Sequence, residues 1–385
     1  MKFKADKIFT GENFIGNSVL ITDERGIIQE IVPEADAGDG VQQYKGILSP
    51  GFVNCHCHLE LSFLKGLIPE GTGLVDFVIN VMTRRSFPMD EIETAIAKGE
   101  QEMIENGIVA VADICNDAST LNQKLRNNLR YLNFIEVSGF IPPSAEKRFE
   151  QGQQILNRFI QSGLDASVIV PHAPYSTSTE LMKLINAEAA GKVLSMHNQE
   201  TLQEETFFTT GISEFRKLFD FFKMDISFYQ PPGVNSLYAT LPHLNMPKNI
   251  LLVHNTFTGP EDIFLAHQHS EDYAQDLFFC TCINANLYIE DTTPPLELLR
   301  KNNCTIVLGT DSLASNHSLS IWDEIKSIHQ HFPNIELEEI LTWSTANGAK
   351  ALLMDKELGF FEKGMQPGVI VLPDWDGDQK IKRLV

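Results

Sequence analysis

Positive charge is scarce in this chain. Thirty lysines and arginines stand against 51 aspartates and glutamates, a formal net charge of -21. A field of that sign repels phosphate backbones and anionic headgroups, which argues against nucleic-acid and membrane-surface binding. The acidic residues are scattered along the chain and read as a solvated surface. Long apolar runs are also missing. The start, "MKFKADKIFTGENF", has no apolar stretch of the kind a signal peptide needs, and no later stretch approaches eighteen continuous apolar residues. The expectation is a cytoplasmic protein with no membrane span. Six cysteines in 385 residues are too few for a disulfide framework and read as reduced, mostly buried thiols. Tandem repeats, low-complexity tracts and long linkers are absent.

What is present is a soluble core: 43 % of the residues are apolar. Residues 1–50 read as β structure, with two apolar runs in "SVLITDERGIIQEIVP" around a turn at Asp23-Glu24-Arg25-Gly26. The stretch "GFFEKGMQPGVIVLPDW" has the same texture and carries the apolar run Val369-Ile370-Val371-Leu372. Between them, helical patterns such as "MDEIETAIAKGEQEMIENG" alternate with short β-rich runs. Those runs are "GILSPGFVNCHCH", "IVAVADI", "LRYLNFIEV", "DASVIVPHA", "KVLSMHN", "NILLVHN", "DLFFCTCI" and "CTIVLGTD". Eight strands alternating with helices predict an α/β chain, a (β/α)8 TIM barrel over 51–355. Segments 1–50 and 356–385 then pair into one small β-sandwich-like domain.

The stretch "FVNCHCHLE" alternates Cys55, His56, Cys57 and His58. On a strand, alternate side chains share a face. One pair therefore enters the barrel and the other packs outward, and small buried cysteines suit the outward role. The His-x-His pattern alone is weak, since 11 histidines in 385 residues give roughly 0.3 such pairs by chance. His267 and His269 in "FLAHQHSEDYA" form a second pair in a helical pattern, and they read as a solvated helix surface. The other strand ends carry more weight. His172 follows the fourth run, His197 the fifth with Glu200 three residues on, His254 the sixth and Asp311 the eighth. A single ionisable group at a strand end is often a satisfied core residue; five strands ending this way point to a site.

In "SPGFVNCHCHLELS", "HAPYS", "HNQE", "VHN" and "GTDSLASN" the chain resembles the amidohydrolase superfamily, in its metal-dependent aminohydrolase and chlorohydrolase branch. "LTWSTANGAKALLMDKELGFFEKGMQPGVIVL" resembles that branch's closing helix and return to the β domain. The resemblance implies that His56, His58, His197 and Asp311 hold one divalent ion. Zinc suits such ligands, and iron is compatible. The fourth strand offers His172 where binuclear relatives place a modified lysine, so a mononuclear site is implied and His172 contacts substrate. Where the family usually has Cys-Pro-x-Ser-Asn, this chain has Cys282-Ile283-Asn284-Ala285-Asn286.

The implied activity is hydrolytic deamination of an aromatic ring. Asp311 takes a proton from the attacking water, Glu200 passes one to the ring nitrogen and His254 hydrogen-bonds the attacking oxygen. "HCHLELSFLKG", "GLVDFVINVMTRR", "FIEVSGF" and "HNQETLQEETFFTTGISEFRKLFDFF" resemble the subgroup acting on adenine nucleosides modified at the 5′ position: S-adenosylhomocysteine, 5-methylthioadenosine and aminodeoxyfutalosine. Two of these carry a carboxylate, for which Arg84 and Arg85 are candidates, an exposed helical pair being the plainer reading. Asp76 and Glu60 are candidates for the ribose. Phe207, Phe208, Phe219, Phe221 and Phe222 wall an aromatic-ligand pocket or form helix core. The alternatives are a deaminase of a bare aminated heterocycle (guanine, cytosine or a pterin), an s-triazine chlorohydrolase, an exocyclic-amide hydrolase and, more remotely, a non-catalytic scaffold. The partner in every catalytic case is a small molecule, and a homo-oligomer is compatible.

Overall fold

The eight β-rich runs all become strands. The computed structural model describes residues 1–373, 375 and 380–385. In it the strands are β1 Phe52–Cys57, β2 Ile108–Cys115, β3 Arg130–Val137, β4 Ser167–Pro171, β5 Val193–Asn198, β6 Asn249–His254, β7 Asp276–Thr281 and β8 Thr305–Leu308. Helices lie between most of them, as in Met89–Glu105, Ala145–Gln161 and Pro260–Tyr273, so the architecture is mixed α/β. Strands β1, β4, β5 and β6 are buried along their whole length. Parallel strands covered on both faces read as continuous apolar runs for this reason.

The strands form two parallel four-stranded sheets, ordered β4-β3-β2-β1 and β5-β6-β7-β8. Two seams join them. At one, Cys57 bridges Asp311 in parallel, the amides of Thr310 and Asp311 donate to His56 O, and Asn54 Nδ2 donates to Thr310 Oγ1 at 2.8 Å. Gly309 permits this approach: a Cβ there would lie 2.8 Å from His56 Cβ. At the other, the amide of His197 donates to His172 O at 2.9 Å.

Strands from both ends of the chain share a sheet. Ile370–Leu372 pairs antiparallel with Ile47–Ser49, which pairs with Lys7–Phe9. A further sheet holds Ser18–Thr22 and Ile28–Pro33, joined by the expected turn, where Asp23 Oδ1 accepts from the amides of Arg25 and Ile27. Phe3, Ile8, Leu20, Leu48, Val369 and Val371 pack together beneath them. Asp374, near the end of the apolar stretch read from the sequence, lies outside the described residues. Among the described residues no helix is long and apolar enough to cross a membrane.

One expectation needs correction. His267 is exposed, but His269 is buried, with Nε2 3.1 Å from Leu244 O. Two residues along a helix is a turn of about 200°, so one face meets water and the other the core.

Candidate active site

Four ring and carboxylate groups from three strand ends converge in a buried cluster. His56 and His58 come from the end of β1, His197 from β5 and Asp311 from beyond β8. Asp311 Oδ1 lies 3.6 Å from His56 Nε2 and 3.5 Å from His58 Nε2, while His58 Nε2 lies 3.4 Å from His197 Nε2. Ligand atoms of His56, His58 and Asp311 fall within 4.8 Å of one another, as do those of His56, His197 and His254. Among the described residues His56 Nδ1 and Nε2 have no hydrogen-bond partner. A buried imidazole left unpaired costs on the order of 1–3 kcal/mol, and a cation among these atoms removes that cost. Burial pulls His56 down to about 3 and lowers His58, so both rings are neutral, which is the form that ligates. The donor set fits a divalent ion.

The neighbouring groups orient these side chains. His197 Nδ1 lies 2.8 Å from His172 O, which turns Nε2 toward the cluster. Ser315 Oγ donates to Asp311 Oδ2 at 2.5 Å. Asp113, two residues before the end of β2, accepts at 2.8 Å from the amide of Leu59, the residue after His58. Lys124 Nζ sits 2.5 Å from Asp113 Oδ2, with both side chains fully buried. Breaking such a pair costs about 3–5 kcal/mol, because one charge is left uncompensated. Asp311 and His254 hold φ of +55° and +76°. Such backbone costs about 1–3 kcal/mol per residue and collects at functional sites.

Glu200 and His254 stand beside the cluster. His254 Nε2 is 3.6 Å from Glu200 Oε1, and its Nδ1 is 3.3 Å from Asn286 Oδ1. That second contact requires the Nδ1–H tautomer and leaves a lone pair on Nε2. Asn286 belongs to the segment that departs from the family's usual seventh-strand motif. Burial pushes Glu200 up to about 8, so its carboxyl carries a proton at neutral pH. His172 Nδ1 contacts Ser176 Oγ at 2.7 Å, and burial lowers its ring to about 4.

These groups open into a cavity of about 570 Å³, lined by His58, His172, His197, Glu200, His254 and Asp311. Leu74, Phe77, Val81, Phe140, Phe219 and Met224 form much of its apolar wall. A larger cleft of about 780 Å³ lies elsewhere, lined by Val109, Leu129 and Ala166, and contains none of the cluster.

The remaining sequence candidates separate. Arg85 lines the cavity, donates from Nη2 to Asn116 Oδ1 at 3.0 Å and lies 3.6 Å from Glu60 Oε1. Arg84 donates to Leu67 O and is not among the lining residues. Glu60 is buried, accepts from the amide of Asn116 and is pushed by burial to about 8. Asp76 pairs with Lys217. Phe207, Phe208 and Phe219 are buried in an aromatic cluster, whereas Phe221 and Phe222 are exposed and Phe222 reaches the cavity. Sequence reasoning passed over Glu136, near the end of β3, whose carboxylate lies 3.6 Å from His197 Nδ1. Its signal was weaker than that of the other strands: an ionisable group one residue short of the end of its run.

Cys55 and Cys57 are fully buried, and burial holds both thiols well above their usual range, away from the ligating thiolate. Cys55→Ser and Cys57→Ser are each expected to keep the metal content of the parent protein by atomic absorption. Loss of metal from either would make that cysteine a ligand.

Behind Asp311, Glu324 accepts from Asn284 N at 3.1 Å, Asn284 Nδ2 at 2.9 Å and Asn316 Nδ2 at 2.8 Å. Burial nonetheless raises its carboxyl from 4.5 to about 8. Between those values the folded chain binds a proton that the unfolded chain has released, so this contribution to stability falls as pH rises through about 8. Glu324→Gln should flatten the decline of the thermal midpoint over that window. Parallel curves for variant and parent would contradict it.

The amidohydrolase family model matches residues 47–385, and the chain belongs to that family. It is 26% identical over 384 residues to the 5-methylthioadenosine/S-adenosylhomocysteine deaminase of Thermococcus onnurineus, covering 94% of this chain and 82% of the relative. It is 27% identical over 319 residues to the aminodeoxyfutalosine deaminase of Nitratiruptor sp., covering 80% of this chain and 74% of the relative. Its fold matches that of Helicobacter pylori aminofutalosine deaminase, solved with methylthio-coformycin, with a TM-score of 0.84 over the full length of both chains at 20% identity.

Proposed function

We propose that the chain is a metal-dependent hydrolase that releases ammonia from the adenine ring of a 5′-modified nucleoside. The observation that carries this is the buried convergence of His56, His58, His197 and Asp311 beside the buried Glu200. The first four would hold one divalent ion, Zn²⁺ by the chemistry of three imidazoles and a carboxylate. When bound, such an ion lowers the pKa of water toward about 7.

The chain's own residues do the rest. Asp311 accepts a proton from the attacking water. His254 offers its Nε2 lone pair to the same water and so fixes its approach. Glu200 delivers its proton to the ring nitrogen as the carbon becomes tetrahedral, which a carboxyl poised near neutral pH does well. The proton held on Asp311 then passes to the amino group, the C–N bond breaks and ammonia leaves, while the new hydroxyl returns a proton to Glu200 as the carbonyl forms. His172, on the cavity wall, contacts the bound ring. The apolar wall takes the 5′ substituent. The names of the matched deaminases support a nucleoside substrate over a bare base.

We further infer that the two sheets close through their two seams into one eight-stranded barrel over 51–355, with 1–50 and 356–385 forming the small β domain. The site then sits at the C-terminal strand ends, where barrels place their chemistry. Six unpaired cysteines suit a reducing, cytoplasmic location.

The test is ammonia release by the zinc-loaded protein from adenosine, 5-methylthioadenosine, S-adenosylhomocysteine, aminodeoxyfutalosine, guanine and cytosine. Release from a 5′-modified nucleoside supports the assignment. Release from a bare base alone would keep deamination and discard the nucleoside.

A further inference from the structure

The geometry points to Glu136 as a positioning residue that holds the rings of His58 and His197. This rests on the reading of those two histidines as metal ligands. Glu136 enters from β3, a strand that supplies none of the proposed ligands. Its side chain is 7% exposed, and Oε1 lies 3.6 Å from His197 Nδ1. One ligand-type atom from each of His58, Glu136 and His197 falls within 4.8 Å of the others. Two polar atoms here are buried and lack a hydrogen-bond partner among the described residues: Glu136 Oε1 and His58 Nδ1.

The Nε2 atoms of His58 and His197 face each other at 3.4 Å, inside the cluster. A ring that ligates through Nε2 carries its proton on Nδ1, and ligating imidazoles usually donate that proton to a carboxylate or carbonyl. His197 Nδ1 already has His172 O at 2.8 Å. His58 Nδ1 needs an acceptor, and Glu136 Oε1 is an acceptor without a donor.

The carboxylate is itself fixed. Asn116 Nδ2 donates to Glu136 Oε2 at 2.8 Å, and Asn116 Oδ1 accepts from Arg85 Nη2 at 3.0 Å. Arg85, Asn116 and Glu136 thus form a chain from the cavity wall to the imidazoles. Glu136 lines the cavity, but Oε1 is closed to solvent, which favours the rings over the substrate as its partner.

The test is a zinc titration of the metal-stripped protein against a competing chelator, for the parent, Glu136→Gln and Asn116→Ala. Thermal midpoints of the metal-free proteins are measured alongside. Glu136→Gln is expected to bind zinc about 10- to 100-fold more weakly, at an unchanged metal-free midpoint. Asn116→Ala should shift affinity the same way by less, and it decides the matter if Glu136→Gln does not fold. Parent-like affinity in the variant that folds overturns the role. So does a raised KM for the nucleoside at unchanged zinc affinity, which would make Glu136 a substrate contact. A parent protein that binds no zinc overturns this role and the metal site together, so the two failures are distinguishable.

Discussion

Asp311→Asn is expected to lose about 1,000-fold or more in kcat/KM and to bind zinc more weakly, while the fold persists. The amide keeps the size of the carboxylate but is a poor ligand and cannot take a proton from water. General-base catalysis alone contributes roughly 100- to 10,000-fold. Neighbouring His56 and His58 hold the Asp311 carboxyl well below the usual range against the upward push of burial, so the carboxylate is the form present. Near-parent activity at equal metal content would remove Asp311 from water activation. Far-ultraviolet circular dichroism separates either result from misfolding.

Glu200→Gln is expected to lose about 100- to 10,000-fold in kcat with metal content unchanged. Glu200 touches none of the proposed ligand atoms within hydrogen-bond range; its near contact is His254 Nε2 at 3.6 Å. The amide preserves shape and removes the transferable proton. The pair of variants therefore divides the site: Asp311→Asn affects metal and rate, Glu200→Gln rate alone. If Glu200→Gln lost metal instead, its carboxylate would be a ligand and not the proton donor.

The strands were legible because each is a short run rich in apolar β-formers, and the cluster because ionisable groups end five of those runs. What was hidden depends on pairings between distant residues. Asn116 contacts Arg85 and Glu136, 31 and 20 residues away, from a loop with no motif of its own. Glu136 sits inside "LRYLNFIEV", one residue short of the end of β3, and so reads as part of the apolar run. Arg84 and Arg85 look equivalent in sequence. The helix Leu74–Thr83 ends at that point, and its C-cap sends one guanidinium to Leu67 O and the other toward Asn116. His269 was misplaced because a polar helix pattern does not reveal which face a neighbouring segment covers.

The most direct test of the whole account follows ammonia release from aminodeoxyfutalosine and 5-methylthioadenosine by metal-stripped protein as zinc is added back. Release should be absent without metal, rise in step with zinc and level off at one equivalent per chain, with the purine amino group replaced by oxygen in the product. Full release from the stripped protein, or silence toward both nucleosides with zinc bound, would contradict it.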